Sequence, residues 1–440
     1  MMSSQSFSQP ETKIADTLAL GHEMHALAAR LFPICRSITG DGVRETLKIL
    51  GEYIPWQIHE VPSGTKVFDW TVRQEWYVRS AYVEDEQGNR IIDFSRHNLH
   101  VVGYSTPVDV WLTRGELEKH LHSLPEQPDA IPYVTSYYAP RWGFCLAHHD
   151  RVRLKEGRYH AVIDSDLKDG SLTYAEWVLP GRVQEEVFLS SYVCHPSLAN
   201  NELSGPVATT FLARWLASTP RKYTYRIILI PETIGSLTYL SRNLEVLRNK
   251  VIAGFNVSCV GDNRAYGYVA SPYGDTLADR VIHSVLSDSH SGFQTYSFLD
   301  RGSDERQYCS PQAALPMVCV VRSKFGEYPE YHTSLDDLNV VTPAGLQGGY
   351  EVLRDCVDLL ERNAKYRVAC VGEPQLGKRG LYPTLSTKES GATVRTMMNL
   401  IAYSDGRNDL IDISQRIGVP VRQLYPILER LIQADLLLAE

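Results

Sequence analysis

Apolar residues recur at helical spacing from Thr17 to Phe32, at Leu18, Leu20, Met24, Leu27, Ala28 and Leu31. After a turn at Ser37, Thr39 and Gly40, the residues Val43, Leu47 and Leu50 predict a second amphipathic helix, and Trp56–Val61 alternates like a strand. From Leu172 a strand–loop–helix rhythm sets in. The pattern predicts strands at 172–179, 186–193, 225–231, 252–260, 267–270 and 316–321. It predicts helices at 205–217, 235–248, 274–287, 304–309 and 343–362. Alternating strands and helices imply an α/β fold, with a mostly parallel or mixed sheet covered by helices on both faces.

Between Thr65 and Asp164 the texture differs. Aromatic residues are dense (Phe68, Trp70, Trp76, Tyr77, Tyr82), and short alternating runs such as Val101–Tyr104 and Tyr159–Ile163 are split by turns such as Glu86-Gln87-Gly88-Asn89. The prolines of Pro125–Tyr133 exclude a helix or a central strand there. This stretch is expected to be a mostly β insertion in the α/β domain. A Pro/Gly-rich linker, Glu373–Thr387, leads to helical segments at 393–403, 409–417 and 421–434, with Pro420 at the start of the last one. That spacing predicts a winged helix-turn-helix. The expected domains are thus 13–64 with 165–370, the insertion 65–164, and the winged helix 373–440, after a polar tail at 1–12.

Length and charge narrow the function. The 440 residues are 43% hydrophobic, with a formal net charge of −8, which argues against a general binder of nucleic acid or anionic membranes. The winged-helix region 373–440 balances eight Lys/Arg against eight Asp/Glu, so a packing or protein-contact role is expected rather than DNA binding. The N-terminus lacks an apolar signal region, no apolar run is long enough to span a membrane, and the eight cysteines are scattered. A cytoplasmic protein with buried thiols is the expectation.

Chemistry-bearing residues gather where strands are predicted to end, the usual ligand edge of an open α/β sheet. His195 follows the run Val187–Val193 and precedes Asn200, Asn201 and Glu202. Cys194 beside it is either a small apolar residue ending a strand or a thiolate ligand. Glu232 follows the apolar strand and precedes Gly235-Ser236, as a partly desolvated general base or as a charge at a helix start. Asp262 follows the next strand as a ligand or a turn residue. Arg301–Tyr308 packs Asp304, Glu305 and Arg306 closely, with Ser303 as the expected N-cap. His332, with Asp336 and Asp337 behind it, forms a plausible ligand loop. His148-His149-Asp150 is a weaker cluster, because adjacent strand residues face opposite ways. Two distant histidines with carboxylates between them suit zinc.

The motifs CRSITGDGVRETL, CHPSLANNELSGP, PETIGS, RGSDERQY and EYHTSLDDL resemble the bacterial aminopeptidase-like domain proteins labelled as polysaccharide-biosynthesis proteins. More distantly they resemble the co-catalytic zinc aminopeptidases and glutaminyl cyclases. The resemblance covers nearly the whole chain beyond the tail. It implies a zinc-exopeptidase-like mixed sheet flanked by helices, with an insertion and a C-terminal winged helix. By position it makes His195 and His332 the ligand histidines, Glu232 the general base and Asp304 a residue that binds or protonates substrate. Asn201 falls where those enzymes carry the bridging aspartate and Thr233 where they carry a ligand glutamate, while Glu305 replaces a histidine. With less anionic charge, at most one well-held metal is expected, on His195, His332 and a carboxylate, Glu202 first and Asp262 second.

The resulting expectation is a metal-dependent hydrolase of an amide or peptide bond, an aminopeptidase or small-amide deacylase. Water activated by one zinc attacks the carbonyl, Glu232 transfers its proton, and Arg306 and Tyr308 meet the substrate. The expected partner is a small peptide or amide, with no nucleic acid or membrane, and the chain is expected to form a homo-oligomer. The alternative is a catalytically decayed peptidase fold acting as a binding or scaffold protein. A regulator working through the winged helix is the third reading.

Overall fold

The computed structural model describes residues 10–382 and 388–439. Most of the expected tail at 1–12 and the end of the expected linker, 383–387, lie outside the described residues. The first helix, Pro10–Leu31, begins seven residues before the apolar pattern does.

An eight-stranded sheet organises the molecule. In chain order its strands are β1 Gln57–Pro62, β2 Ser171–Leu179, β3 Glu186–Tyr192, β4 Thr224–Ile230, β5 Val251–Val257, β6 Gly267–Val269, β7 Gln294–Tyr296 and β8 Met317–Val321. Their spatial order is β1-β2-β4-β3-β5-β8-β6-β7. The four central strands β4, β3, β5 and β8 are mutually parallel, while β1, β2 and β6 join antiparallel. Each strand predicted for this sheet exists, and β7, of three residues without apolar alternation, is an addition to them; in the insertion the run Val101–Tyr104 makes only isolated bridges.

Every residue of β3 is buried, the signature of a strand covered on both faces. Phe188 on one face packs with Tyr239 of the helix Ile234–Lys250 and with Tyr308. On the other face Ser191 meets the helix Ser204–Ala217. There Gly205 comes so close that a Cβ would lie 2.3 Å from Ser191 Oγ and 2.5 Å from the Val257 carbonyl oxygen. The helix that follows the His195 loop is therefore pressed directly onto the sheet.

The insertion forms its own four-stranded antiparallel sheet, with the long strands Glu75–Asp85 and Arg158–Lys168 at its centre. The second of these runs four residues past the expected boundary at 164, since pairing continues to Lys168 before β2 begins. His148-His149-Asp150 lies on the short helix His148–Val152, not on a strand. His149 pairs with Asp129 and Asp150, and His148 with Ser123.

The chain divides into two compact units, Met1–Ala278 with Gln294–Glu351, and Asp279–Phe293 with Val352–Glu440. The second contains the helices Lys388–Tyr403, Leu410–Ile417 and Val421–Gln433 and the three short strands of the wing. In Val421–Gln433, the residues Val421, Leu424, Ile427, Leu428 and Leu431 face the core. On another side of this helix Arg422 pairs with Asp355, and Glu429 with Arg362, whose guanidinium also lies over the Tyr425 ring. No described helix is long and apolar enough to cross a membrane, and all eight cysteines are free thiols.

The contact at Gly205 sets a stability prediction. Gly205→Ala forces a methyl group against backbone that cannot rotate away, and should cost about 2 kcal/mol or more. Urea unfolding should show a lower midpoint at unchanged slope. An unchanged midpoint would mean that the helix can retreat from the sheet.

Candidate metal centre and active site

Because β4, β3, β5 and β8 run parallel, their carboxyl ends open onto one edge, and the loops there carry the candidate residues. These loops are strained. Ser197, Thr233, Cys259 and His332 all adopt positive φ, between 46° and 62°, without being glycine. Each such residue costs on the order of 1–3 kcal/mol and clusters of them mark functional sites. The run Ala199–Leu203 forms a fully buried π-helical turn before its helix, another feature concentrated at such sites.

His195 is held from behind by Glu202. The imidazole Nδ1 lies 2.9 Å from Glu202 Oε2, while Oε1 accepts from the Cys194 amide at 2.7 Å. Arg36 Nε sits 3.3 Å from the same oxygen and donates to the His195 carbonyl at 2.9 Å, and both charged side chains are completely buried. Glu202 thus fixes the ring and leaves Nε2 facing Glu232 Oε2, 3.8 Å away. Burial opposes charge on His195, while its neighbours Cys194, Tyr133 and Glu202 raise its pKa above the usual imidazole range. Burial lifts the Cys194 thiol to about 11, which keeps the sulfur neutral.

His332 faces His195 with ring centroids 5.6 Å apart, and stacks on Tyr331 at 3.9 Å. Burial and the neighbouring His195 push it down to about 3, so its imidazole is neutral and free to ligate. Its loop is tied to the His195 loop through Asp336. That carboxylate accepts from the backbone amides of Asn200 at 2.7 Å and Asn201 at 2.9 Å, and from Tyr328 Oη at 2.9 Å. Asn201 Nδ2 donates to Tyr192 Oη at 2.6 Å, and its Oδ1 is buried without any partner.

Glu232 remains partly exposed, with burial raising its pKa against the pull of His195 and Arg306. Asp304, fully buried, accepts from the Thr233 amide and from Ser236 Oγ, both at 2.7 Å. Its other oxygen has no partner, and burial together with Glu232 pushes its pKa up. Thr233 Oγ1 accepts from Arg306 Nη2 at 2.7 Å. Glu305 turns back onto the Gly302 and Ser303 amides and accepts from Asn256, so Ser303 does not act as the expected N-cap.

The expected site residues therefore separate. His195 faces both His332 and Glu232, with Glu202 behind its ring and Asp304 behind the Glu232 loop, while Asn201 turns its amide to Tyr192. Asp262 serves the loops instead. Its two oxygens accept from Asn200, Arg264 and Ser323, including 2.9 Å to the Ser323 amide. A carboxylate with its acceptor positions filled in this way is a loop clamp. Tyr308 is also displaced from its expected role. It is fully buried against Phe188, with its hydroxyl 2.8 Å from Ser190 Oγ, and cannot reach a substrate.

Two contributors were not anticipated. Arg36 lies in the motif CRSITGDG, where an arginine between Cys35 and Ile38 was the available signal. Tyr133 comes from the insertion. Its ring lies 5.1 Å from both His195 and His332, and its amide donates to the His332 carbonyl at 2.8 Å. Pro132 and Thr333 form an isolated β-bridge beside it. No local pattern in a proline-rich stretch announces such a partner.

The comparisons with known proteins agree with this architecture. Residues 25–363 match a family model described as a domain of unknown function, DUF4910, and residues 364–439 match a winged helix-turn-helix model. A Clostridium acetobutylicum protein is 42% identical over 428 residues, 96% of this chain and 98% of its own length. Its provisional name is polysaccharide biosynthesis protein with aminopeptidase-like domain. A crystal structure of a provisionally named peptidase from Clostridium acetobutylicum superposes with a TM-score of 0.92 at 41% identity, covering 98% of this chain and 99% of that one. A zinc aminopeptidase from Bacillus subtilis matches at TM-score 0.56 and 10% identity, over 77% of this chain and 94% of its own, which establishes the fold alone. The chain belongs to the DUF4910 family, with an aminopeptidase-like α/β fold and a C-terminal winged helix.

Proposed function

We propose that this chain is a metal-dependent hydrolase of a small amide or peptide, working with one zinc ion. The observation that carries the reading is the pair of facing imidazoles, His195 and His332, with Glu232 Oε2 3.8 Å from His195 Nε2. Two imidazole nitrogens with a carboxylate beside them suit zinc, and the buried Asn201 Oδ1 on the neighbouring turn is an acceptor without a partner. Asn201 is neutral and Thr233 is engaged with Arg306, which supports one ion over two. Glu202 acts as the carboxylate that orients a ligand histidine rather than as a ligand itself.

Zinc held there would supply Lewis acidity at a carbonyl and make water more acidic near neutral pH. Glu232, partly exposed and raised in pKa, takes the proton of the attacking water and returns it to the leaving amine. Asp304 does not touch substrate in this scheme. It is a positioning residue that grips Thr233 and Ser236, and so holds the Glu232 loop in its strained conformation. Tyr133 and Tyr331 exclude water around the imidazoles. For the winged helix we propose packing rather than DNA binding, supported by Arg422 and Glu429 being engaged by Asp355 and Arg362. Asn201 and Thr233 also favour one second reading, a binding protein on a fold that has lost catalysis.

Elemental analysis should find about one zinc per chain in wild type, lost when His195→Ala and His332→Ala are combined. Absence of metal after reconstitution would overturn the hydrolase and leave the binding protein.

Glu232→Gln should keep the zinc while kcat/KM falls roughly a hundredfold or more. Equal turnover in this variant would remove Glu232 as the base.

Asp304→Asn preserves both accepted hydrogen bonds and removes a buried acid. Its pKa is raised in the fold, so ionisation favours the unfolded chain, and wild type loses stability as pH rises from about 4 toward neutral. The variant should therefore gain in unfolding midpoint over wild type as pH rises through that window, yet turn over more slowly. A gap that does not change with pH would contradict the assignment.

A further inference from the structure

The His195 loop has an anchor besides Glu202 and Arg36, and it comes from the insertion. A single turn there, Asn98–His100, is fixed at three points. The ring of His97 accepts from the Leu99 amide at 3.1 Å, Leu99 is buried, and His100 Nδ1 lies 2.9 Å from the Cys145 carbonyl oxygen. The side chain of Asn98 leaves this turn for the α/β domain. Its Nδ2 donates to Ser197 Oγ at 2.8 Å and to the Pro33 carbonyl at 3.0 Å. A primary amide has two N–H donors, and both are used here.

Ser197 needs such support. It lies two positions after His195, is buried, and has a φ of 46° without being glycine. A residue in that conformation persists only where its surroundings over-determine it. Its hydroxyl donates in turn to the Phe32 carbonyl at 3.1 Å. Phe32 and Pro33 precede Arg36, whose guanidinium reaches the His195 carbonyl and Glu202. The strained loop is thus gripped at His195 by Arg36 and at Ser197 by Asn98. Asn98, Arg36, Tyr133 and Pro196 also line one small cavity against it. The insertion meets the His332 loop separately, through the Tyr133 amide and the bridge between Pro132 and Thr333. One inserted domain therefore touches both imidazole-bearing loops.

We propose that the insertion presets the spacing of the two imidazoles before any metal binds, and that Asn98 is the positioning residue on the His195 side. Asn98 acts on His195 through Ser197 and the backbone between them. Zinc accepts imidazole nitrogens only within a narrow range of about 2.0–2.1 Å, so a loop that must first be ordered binds it more weakly. Removing groups that orient a ligand histidine typically weakens metal affinity by about 10–100-fold. The consequence for zinc rests on the metal-dependent reading, whereas the ordering of the loop does not.

The test uses the full chain. Asn98→Asp keeps the size of the side chain and removes both donors, and Asn98→Ala removes the side chain. Asn89→Ala, which breaks a bond to Asp85 in an exposed turn of the insertion, is the control. Hydrogen exchange is measured first, on zinc-free protein. In both Asn98 variants the amides of 195–203 should speed up about tenfold more than those of β3, so that the loop loosens beyond any loss of global stability. In the control they should not. Zinc affinity, read by competition with a chromophoric chelator, should then fall about tenfold or more in the Asn98 variants alone. Unchanged exchange at 195–203 would overturn the clamp. An equal rise in 195–203 and β3 would overturn it too, because a merely structural contact gives that result. Faster loop exchange with unchanged zinc affinity would overturn the positioning of His195. If wild type binds no zinc, the metal-dependent reading fails, and zinc-free exchange alone decides the role of Asn98.

Discussion

The buried pair of Arg36 and Glu202 is the constraint on which the rest of the site depends. Both side chains are wholly removed from water. Such a pair persists only when further hydrogen bonds complete it, and breaking it by removing one partner costs about 3–5 kcal/mol. Here the Cys194 amide, the His195 ring and the carbonyl oxygens of Leu31 and His195 supply these bonds, and only Arg36 Nη2 is left without a partner. The charge of Glu202 is thereby directed into His195 Nδ1, and the opposite nitrogen is presented to the site. One ion pair links the segment after the first helix, the end of β3 and the π-helical turn.

Around this pair the loops store strain and uncompensated polarity. Four non-glycine residues at positive φ, an unpartnered Asn201 Oδ1 and an unpartnered Asp304 oxygen lie within the same set of strand ends. Lone buried groups and positive-φ residues also occur singly elsewhere, at Trp56, Thr209 and Ala314 for example. Here they coincide on one sheet edge, and such a coincidence of strain and lone acceptors marks a candidate site. It does not depend on any likeness to other proteins.

The insertion has two connections to the His332 side of this centre. One is the bridge at Pro132 and Thr333, which sets Tyr133 against both histidines. The other is the donation of Gln127 Nε2 to the Pro329 carbonyl and of the Ile131 amide to Ser334 Oγ, on either side of His332. A domain that only decorated the sheet would need neither.

Periodicity by itself determined the layers of the fold. Continuous apolar runs at β3, β4 and β8 required burial on both faces, and the residues following those runs had to sit at one edge once the strands were parallel. His195, Glu232 and His332 were legible for that reason, as was Pro420 at a helix start. What the sequence could not assign was the direction of each side chain within the loops. Asp262 and Glu202 are both carboxylates just past a strand end, yet one is consumed by backbone and hydroxyl donors and the other by Arg36. Tyr308 lies next to reactive neighbours in the chain but points into the core, because a four-residue helix turns it toward Phe188. Tyr133 is distant in sequence from both histidines it borders. Its placement depends on how the inserted sheet docks within its own unit, a long-range packing outcome with no local signature.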